Sequence, residues 1–376
     1  MTTHNTNFSS LFNSFKTVFK TARNDNEGFS QNDFGEVVFS SNYIPNTLHH
    51  REEEMKYLVN YFRSIITNPT TSSKKVVLYG PVGTGKTLIS RAFGNDITSY
   101  IQNERKMGDP SFRFFHVNCR KTKTPHLILT TVLRQLVPGF PLRGFSTDEL
   151  LRMFTLLQFE QNLVTLLVLD EIDYLIDERT DFLYALSRIE ESPPVYQSSY
   201  SRLPGSNTES RFNLLMITRD KNFRYYLDSS TASSLGRNFI LFPPYTRNQL
   251  FDIISSRAEL GLREGSYNDD LLEVIASLAE EYGDARFAIE LLWRAGKLAD
   301  KENADTIVPE HVRKAVIAVL PMEKSVLEEL NYHQKIILLS VAKLLNDDRS
   351  AVTTPEVKQY YRQLCEEANI RPRRTT

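Results

Sequence analysis

The stretch VVLYGPVGTGKTLIS, residues 76–90, decides the fold because it joins a hydrophobic strand, a glycine-rich turn and the start of a helix. Gly80, Gly85, Lys86 and Thr87 match the pattern G-x-x-x-x-G-K-[ST], whose backbone N–H groups turn inward around phosphates. The pattern requires this strand before it and this helix after it. We therefore expect a nucleoside triphosphate here, with the lysine on the β- and γ-phosphates and the threonine hydroxyl on Mg²⁺.

The expected phosphate loop is one continuous run. Its members are Gly80, Pro81, Val82, Gly83, Thr84, Gly85, Lys86, Thr87 and Leu88. Downstream, LVTLLVLD at 163–170 is a hydrophobic strand that ends in Asp170 and is followed by Glu171. Open parallel sheets bind ligands at the carboxyl ends of their strands, so we expect both acids at the same site. Asp170 would hold Mg²⁺ together with Thr87, and Glu171 would polarise the attacking water.

The composition limits the class of protein. The chain has 376 residues, of which 41% are hydrophobic, so we expect two or three domains. Its 45 basic and 46 acidic residues nearly cancel, so any surface that attracts nucleic acid must be local. Two distant cysteines favour a reducing compartment, and no apolar run reaches about 18 residues. We expect a soluble cytoplasmic protein, nucleoid-associated or nuclear if eukaryotic, with no membrane partner.

The pattern of elements divides the chain. Short β-branched runs at 75–80, 112–119, 163–170 and 212–218 alternate with helical stretches, which predicts an α/β domain with a parallel sheet at residues 38–247. Residues 248–322 show helical patterns only. Residues 323–376 form a third unit with two helices, and residues 1–37 hold a short amphipathic helix and a polar linker. That first helix could contact a partner or membrane surface, but packing on the protein itself is favoured. The Ser- and Pro-rich residues 190–211 indicate a long surface loop.

The order of these motifs resembles that of AAA+ ATPases, and more narrowly that of the archaeal Orc1/Cdc6 family of replication-origin proteins. The resemblance covers about residues 38–370 and includes several separate segments. These are NYIPNTLHHREEEMKYL at 42–58, HVNCRKTKTP at 116–125, YLDSSTASSLGRNFILFPPY at 226–245 and YGDARFAIELLWRAGKLAD at 282–300. It implies an AAA+ P-loop domain at 38–247, a helical lid at 248–322 and a C-terminal winged helix at 323–376. Because the chain stops after two helices of that last domain, we expect an incomplete winged helix.

The resemblance also implies site residues and cofactors. ATP or ADP with Mg²⁺ would bind between the base domain and the lid. Arg286 would be the lid arginine that approaches the γ-phosphate, acting with Lys86 and Glu171 in catalysis. The adenine pocket would be lined by Tyr43, Ile44, Pro45, His50 and Arg51.

Two departures from the family concern turnover. Where the family has asparagine at the end of the sensor strand, this chain has Thr218 and Arg219. Where the family offers an arginine to a neighbouring subunit, this chain has Ser229, Ser230 and Thr231. Loss of a transition-state arginine costs about a thousandfold or more in rate. We hypothesise that ATP is bound tightly and hydrolysed slowly, as a latch between base and lid.

The resemblance implies DNA contacts at a helical insertion and at the winged helix. The insertion corresponds to residues 124–146, where Arg143 and Gly144, with Lys121 and Lys123 nearby, are candidates to meet phosphates. An ordinary helix pair with scattered charges is the alternative. The expected partners are duplex DNA of an origin, a replicative helicase or other initiator subunits, with a monomer or small assembly on DNA.

Three functions remain open at this point. The favoured one is an ATP-switched, DNA-binding protein of replication initiation that recognises origins or loads the helicase. A turnover-driven AAA+ remodelling ATPase that acts on protein partners would need a complete catalytic site with an arginine from the neighbour. A regulator related to Orc1/Cdc6 that no longer binds origins would be compatible with the short C-terminus and the 190–211 loop.

Overall fold

A computed structural model describes Val18, Lys20 and residues 34–45, 47–69, 73–104, 106–175, 180–189, 211–236, 238–319, 330–345, 352–368 and 370–372. Most of the predicted N-terminal amphipathic helix lies outside these residues, as do residues 190–210 of the predicted long loop. The chain forms two compact units, Met1–Ala315 and Val316–Thr376. Within the described residues, no helix is both long and apolar enough to cross a membrane.

The first unit is built on a parallel sheet, as predicted. Among the described residues the sheet has five strands in the order β2-β3-β4-β1-β5. The strands are β1 (Lys75–Tyr79), β2 (Ser111–Asn118), β3 (Leu163–Asp170), β4 (Phe212–Thr218) and β5 (Phe239–Leu241). The first four confirm the runs predicted from the sequence. The fifth was missed because three residues are too short to show an alternating pattern.

The central strands are covered on both faces, which explains why their sequences are continuously hydrophobic. Every residue of β3 is buried. Val164, Leu166 and Val168 of this strand join one core cluster, whereas Leu167 and Leu169 join the cluster on the opposite face. The sheet is therefore packed on both faces, and Asp170 and Glu171 stand where β3 ends.

Helices cover both faces of the sheet. The first helix, α1 (Phe34–Val37), precedes the base. The helices of the base are α2 (Glu52–Tyr61), α3 (Ser64–Thr67), α4 (Lys86–Glu104), α5 (Pro125–Leu136), α6 (Thr147–Glu160), α7 (Thr180–Ser187) and α8 (Ser229–Leu235). Helices α2, α3 and α4 contribute to the cluster that includes Val76 and Leu78. Helices α5 to α8 contribute to the cluster on the other face. The predicted α/β architecture is confirmed.

A group of helices follows the sheet, as the sequence predicted for residues 248–322. They are α9 (Arg247–Gly261), α10 (Asp269–Glu280), α11 (Ala285–Lys301) and α12 (Pro309–Val319). Each of the first three begins at a side-chain cap that accepts backbone N–H groups, namely Thr246, Asn268 and Asp284. These caps explain why the helix starts could be located from the sequence.

The segment before the base domain packs on these later helices, although the sequence suggested a linker. Lys20 N donates to Gly261 O at 2.8 Å. The Glu36 carboxylate accepts from the Trp293 indole at 3.3 Å and from Lys297 at 2.6 Å. The buried Arg257 guanidinium donates to Val38 O at 3.0 Å. Residues 34–39 therefore pack on the lid helices, although they precede the base domain in the sequence.

The second unit contains the two helices predicted for it, α13 (Tyr332–Leu345) and α14 (Thr354–Glu367). Their shared core includes Ile336, Tyr361 and Cys365. Leu339 and Leu345 of α13 remain 47% and 40% exposed, so part of the apolar side of this helix is not buried by the described residues.

Candidate nucleotide-binding site

The predicted site residues meet at one edge of the sheet because parallel strands end at the same edge. Tyr79 of β1 lies opposite Thr218 of β4, and Asn118 of β2 lies opposite Asp170 of β3. The loop that follows β1 and the residues that follow β3 and β4 therefore emerge side by side. Two cavities lie at this edge.

The first, which we call the phosphate cavity, is lined by the loop, the β3 acids, the end of β4 and one lid residue. Its lining residues are Val82, Gly83, Thr84, Gly85, Lys86, Thr87, Asp170, Glu171, Ile217, Thr218, Arg219 and Arg286. The sequence placed most of these residues at one site, and the structure brings them together. Gly80 and Pro81, also predicted, do not line this cavity, but their carbonyl groups contact Lys86.

Lys86 is buried at the start of α4 and turned onto the loop itself. Its ammonium donates to Gly80 O at 2.6 Å, to Pro81 O and to Thr84 Oγ1 at 3.2 Å. Burial and, to a smaller extent, repulsion by Arg286 lower the pKa of Lys86 to about 8. The lysine is thus a desolvated cation whose protein partners are neutral oxygens, so an anion in this cavity would stabilise its charged form.

The loop also touches the lid directly. Ala285 N, at the start of α11, donates to Gly83 O at 3.2 Å. Gly83 has a φ of +73°, and a Cβ there would lie 1.6 Å from Asp284 Oδ1. Asp284 caps α11 by accepting from the N–H groups of Arg286 and Phe287. Only glycine permits this approach, and it places the helix that carries Arg286 against the phosphate loop.

Asp170 and Thr87 form a pair that fits a divalent cation. Thr87 Oγ1 donates to Asp170 Oδ2 at 2.9 Å. Asp170 is buried, burial raises its pKa, and its Oδ1 has no hydrogen-bond partner among the described residues. A buried carboxylate oxygen without a partner is costly, and oxygen ligands from a carboxylate and a hydroxyl suit Mg²⁺. His116 lies 3.6 Å from Asp170 Oδ2, and burial lowers its pKa to about 4, so it is neutral.

Glu171 is held by the neighbouring strand. Asn118 Nδ2, at the end of β2, donates to Glu171 Oε2 at 2.9 Å. Glu171 adopts a φ of +55°, a conformation that costs a non-glycine residue about 1–3 kcal/mol. The carboxylate lines the phosphate cavity, yet one of its oxygens is already occupied by a protein donor.

The second cavity adjoins the first but is formed largely by other segments of the chain. Gly83, Gly85, Thr87 and Arg286 line both cavities. We call residues 40–45 the strap and this space the strap cavity, because the strap forms one of its walls. The predicted residues Tyr43, Ile44, Pro45, Arg51 and Leu88 also line it. Residues not predicted for it are Ser40, Ser41, Asn42, Thr47, Leu48, His49, Ile89, Arg91, Tyr245, Ile253, Ser256, Arg257, Ala285 and Ile289.

The strap cavity combines apolar and aromatic walls, which suits a flat heterocycle. The Arg257 guanidinium lies 4.6 Å from the centre of the Tyr43 ring, so the tyrosine is stacked on a lid residue. Since Arg257 also binds Val38 O, this lid residue contacts both the strap and the segment just before it. Arg286, in both cavities, lies where the two halves of a nucleotide would meet.

His50 has another role than the sequence suggested, and Arg51 has a further role besides lining the strap cavity. His50 Nε2 lies 2.6 Å from Asp252 Oδ2, and His49 lines the cavity in its place. Arg51 is only 4% exposed and donates to Thr84 O, His50 O and Pro243 O at 3.0, 3.2 and 2.8 Å. It also pairs with Glu54 and lies 4.1 Å from the Tyr245 ring centre. Arg51 thus braces the phosphate loop and only its edge lines the cavity.

The end of β4 differs from the expected sensor. Thr218 is fully buried, and its hydroxyl donates to Asp173 Oδ1. Asp173 Oδ2 accepts from Arg219 N at 3.1 Å and lies 3.7 Å from Arg219 Nε. The Thr218 hydroxyl is therefore already engaged by Asp173. Arg219, whose side chain is longer, also lines the phosphate cavity.

Residues 229–231 form the first turn of α8 and carry no cation. Asp228 caps this helix by accepting from Ser230 N at 2.9 Å and Thr231 N at 3.0 Å. Hydrogen bonds from Ser230 and Thr231 lower the pKa of Asp228, and the bond from the Ser230 hydroxyl has the largest effect. Residues 229–231 thus contribute to the start of α8, and hydroxyl residues are common at helix starts.

The candidate DNA contacts lie away from both cavity linings. Lys121 and Lys123 are exposed in the turn after β2. Arg143 and Gly144 are exposed in the loop between α5 and α6, and Gly144 has a φ of +104° with open space around its Cβ position. Beneath this tip, the rings of Phe140 and Phe145 stack with centroids 5.7 Å apart. The tip is thus anchored by apolar residues while its charged group faces solvent.

Sequence reasoning missed several residues of the site. Asn118 stands within the quoted segment HVNCRKTKTP and Asp173 stands two residues after Glu171, so their position at strand ends was a usable signal. Tyr245, Arg257 and His49 carried no such signal, because their place in the strap cavity depends on how the lid packs.

Comparison with known proteins agrees with this architecture. A family model described as "AAA domain" matches residues 71–199, "Cdc6 AAA+ ATPase-type lid domain" matches 251–316, and "CDC6, C terminal winged helix domain" matches 325–376. ORC1-type DNA replication protein 1 of Sulfolobus acidocaldarius is 35% identical over 326 residues, covering 85% of this chain and 75% of that protein. The chain belongs to the ORC1/Cdc6 family of AAA+ ATPases.

Solved ORC1/Cdc6 structures share the fold. The Aeropyrum pernix ORC1 protein in complex with DNA is 28% identical with a TM-score of 0.66, over 90% of this chain and 83% of that one. The Aeropyrum pernix ORC2 protein, in ADPNP-ADP complexes, is 25% identical with a TM-score of 0.65, over 90% and 85%. The expected AAA+ domain, lid and winged-helix domain are confirmed, while their predicted boundaries stay predictions.

Proposed function

We propose that this ORC1/Cdc6 chain is an ATP-binding, slowly hydrolysing, DNA-binding protein of replication initiation, in which the nucleotide acts as a latch between base and lid. The observation that carries the proposal is the contact between the phosphate loop and the start of α11. There Gly83 meets Asp284 and Ala285, and Arg286 lines both cavities. A nucleotide that spans the two cavities would contact the base and the lid at once. Whether ATP or ADP is bound would therefore bias the angle between them.

In this proposal the phosphates bind at the loop over residues 80–88, and adenine binds in the strap cavity. Thr87 and Asp170 hold Mg²⁺, which when bound would neutralise phosphate charge. Lys86 supplies a desolvated cation, and Arg286 supplies a second from the lid. The unpartnered Asp170 Oδ1 and the buried Lys86 support these assignments because both groups gain from an oppositely charged partner.

Slow turnover follows from how the catalytic groups are engaged. Glu171 is the candidate to polarise water, yet Asn118 occupies one of its oxygens. Thr218 donates its hydroxyl to Asp173, and residues 229–231 form a helix start without an arginine. Each of these features removes a contribution that AAA+ hydrolysis draws on. These contacts support a protein in which ATP stays bound for a long time and is hydrolysed slowly.

DNA binding is proposed by likeness to the Aeropyrum pernix ORC1 protein, which was solved in complex with DNA. The exposed tip with Arg143 and Gly144 supports it, because an arginine beside a glycine lets the backbone approach a phosphate. Lys121 and Lys123 are further candidates. The proposed partners beyond duplex DNA are a replicative helicase or other initiator subunits.

Turnover tests the latch. A single-turnover assay with labelled ATP should give a rate far below the typical enzyme value of about 10 per second. Glu171→Gln should abolish the remaining hydrolysis while ATP still binds, and Lys86→Ala should weaken ATP binding as well. Steady turnover near the typical value would overturn slow hydrolysis.

Gel-shift titrations test DNA binding. Duplex binding should weaken linearly on a log–log salt plot, and Arg143→Ala should reduce the slope by about one. Arg313→Ala, which removes an exposed cation from α12, is the matched control. Failure to bind any duplex at about 50 mM salt would remove the DNA-binding part of the proposal.

A further inference from the structure

Two buried polar atoms without hydrogen-bond partners lie close together beside the phosphate cavity. They are Nε2 of His116, on β2, and Oδ1 of Asp170, at the end of β3, and neither has a partner among the described residues. His116 Nε2 lies 3.6 Å from the other Asp170 oxygen, Oδ2, which is too long for a hydrogen bond. Buried polar groups without partners are rare in folded proteins, so this pair calls for a physical reason.

The sheet fixes the position of His116. His116 lies opposite Val168, and Asn118 lies opposite Asp170. Because side chains alternate along a strand, His116 and Asp170 lie on the same face of the sheet. The His116 ring packs edge-on against Phe114, with the ring centroids 6.4 Å apart. His116 is outside both cavity linings, so any influence it has on a ligand there would pass through Asp170.

The His116 imidazole is neutral and has one hydrogen bond to donate. Burial and, to a smaller extent, repulsion by Arg91 lower the pKa of His116 to about 4. A neutral imidazole carries its proton on one of its two nitrogens. A proton on Nε2 faces the Asp170 carboxylate as a donor, whereas a bare Nε2 would place its lone pair against another acceptor. The form with the proton on Nε2 is therefore favoured, and it leaves the negative charge of Asp170 intact.

The Asp170 carboxylate can accept this donor. Its Oδ2 accepts from Thr87 Oγ1 at 2.9 Å, and a carboxylate oxygen has a second lone pair for a further hydrogen bond. A shift of about 0.5 Å would bring His116 Nε2 within hydrogen-bond range. Two donors on Oδ2 would stop the carboxylate from rotating and leave Oδ1 for a metal ion. Carboxylates that bind metal ions are themselves held by such outer hydrogen bonds.

We infer that His116 is a positioning residue of the Mg²⁺ site, which donates its Nε2 proton to Asp170 Oδ2 and so directs Asp170 Oδ1 to the metal. The inference rests on the proposed function, because it assumes that Mg²⁺ and nucleotide phosphates occupy the phosphate cavity. Asp170 Oδ1 gains the metal as its partner, and His116 Nε2 gains Oδ2. Because the same carboxylate makes both contacts, each contact favours the other.

The test measures the dissociation constant of the non-hydrolysable analogue ADPNP by calorimetry, once in excess Mg²⁺ and once in EDTA. The ratio of the two constants reports how much Mg²⁺ contributes to binding. His116→Phe keeps the aromatic volume and removes the donor, so the contribution of Mg²⁺ should fall by about tenfold or more while the affinity in EDTA stays unchanged. His116→Leu, which also lacks a donor, should give the same loss.

Two further variants separate the hydrogen bond from packing. His116→Gln offers a neutral N–H donor, so it should keep most of the contribution of Mg²⁺. His126→Phe, on α5 and outside both cavity linings, is the control for the loss of a histidine and should keep the wild-type ratio. A His116→Gln variant that behaves like His116→Phe would overturn the inference, because the donor would then not be the cause.

Equal losses of ADPNP affinity in Mg²⁺ and in EDTA would also overturn the inference, since they would indicate a packing role alone. The result is separable from failure of the proposed function. If the wild-type chain binds no ADPNP, the proposed function fails and this inference with it. If Mg²⁺ tightens ADPNP binding by the same factor in the wild type and in His116→Phe, only this inference fails.

Discussion

The phosphate cavity and the strap cavity adjoin each other but are built in different ways. The phosphate cavity comes from one continuous loop and the ends of adjacent strands. The strap cavity needs residues 40–49, Tyr245, α9 and the start of α11, which are far apart in sequence. Phosphate recognition is therefore a local property of the chain, whereas recognition of the base depends on how the lid and the strap pack together.

The lid contacts sharpen this contrast. Arg257 binds Val38 O and stacks on Tyr43, and Glu36 binds Trp293 and Lys297. The strap is thus anchored to the lid at one end and joins α2 of the base at the other. Substitutions in the two cavities should separate stability, phosphate binding and base binding.

The largest expected effect is on folding. Arg51→Met removes a buried guanidinium that binds three carbonyl groups and Glu54, and it should lower the free energy of unfolding by about 2–4 kcal/mol. Urea unfolding of the nucleotide-free protein measures it. Arg313→Met removes an exposed ion pair and should change stability by less than about 1 kcal/mol. Equal losses in the two variants would contradict the bracing role of Arg51.

The next effect is confined to the phosphate cavity. Lys86→Ala should weaken the binding of inorganic tripolyphosphate and of ATP alike, each by about 1.5–3 kcal/mol, because the lost cation meets phosphate and not adenine. Calorimetric titration of both ligands measures it. Lys74→Ala removes a lysine near Tyr61, outside both cavity linings, and should leave both affinities unchanged. Tripolyphosphate binding that is as tight in Lys86→Ala as in the wild type would contradict the local origin of phosphate recognition.

A smaller effect should separate the strap cavity from the phosphate cavity. Tyr43→Ala removes an aromatic wall, so it should weaken ATP binding by about 1–1.5 kcal/mol and leave tripolyphosphate binding unchanged. Tyr100→Ala, on α4 and outside both cavity linings, is the control for loss of a tyrosine. If Tyr43→Ala weakened tripolyphosphate binding as much as ATP binding, the two cavities would not act separately.

The smallest effect concerns the anchor of the strap. Glu36→Gln weakens an ion pair with Lys297 and should cost less than about 1 kcal/mol of stability. Trp293, the single tryptophan of the chain, donates to Glu36, so its emission should shift in this variant and respond to ATP differently from wild type. Glu290→Gln, on the same helix, disrupts only the pair with Arg294 and should leave the emission unchanged. An identical ATP response in both variants would show that strap anchoring does not report nucleotide binding.

Prediction from the sequence succeeded where a residue's position follows from its neighbours along the chain. The strands around Val77 and Leu167 and the loop that includes Lys86 were located because short hydrophobic runs and glycine-rich turns are local patterns. His50 was expected in the adenine pocket, yet it pairs with Asp252 while His49 lines the cavity. No local pattern distinguishes two adjacent histidines.

The sequence by itself determined the parallel sheet, the phosphate loop, the acids after β3 and the family. These depend on short-range rules, because a strand end and a glycine turn present the same groups in any sheet of this kind. The tertiary structure alone decided that residues 34–39 belong with the lid, that Arg51 braces the loop and that Arg219 faces the phosphate cavity between Asp173 and Tyr174. Those outcomes depend on which distant side chains fill the same space, and the free energies of such contacts are set by packing rather than by spacing along the chain.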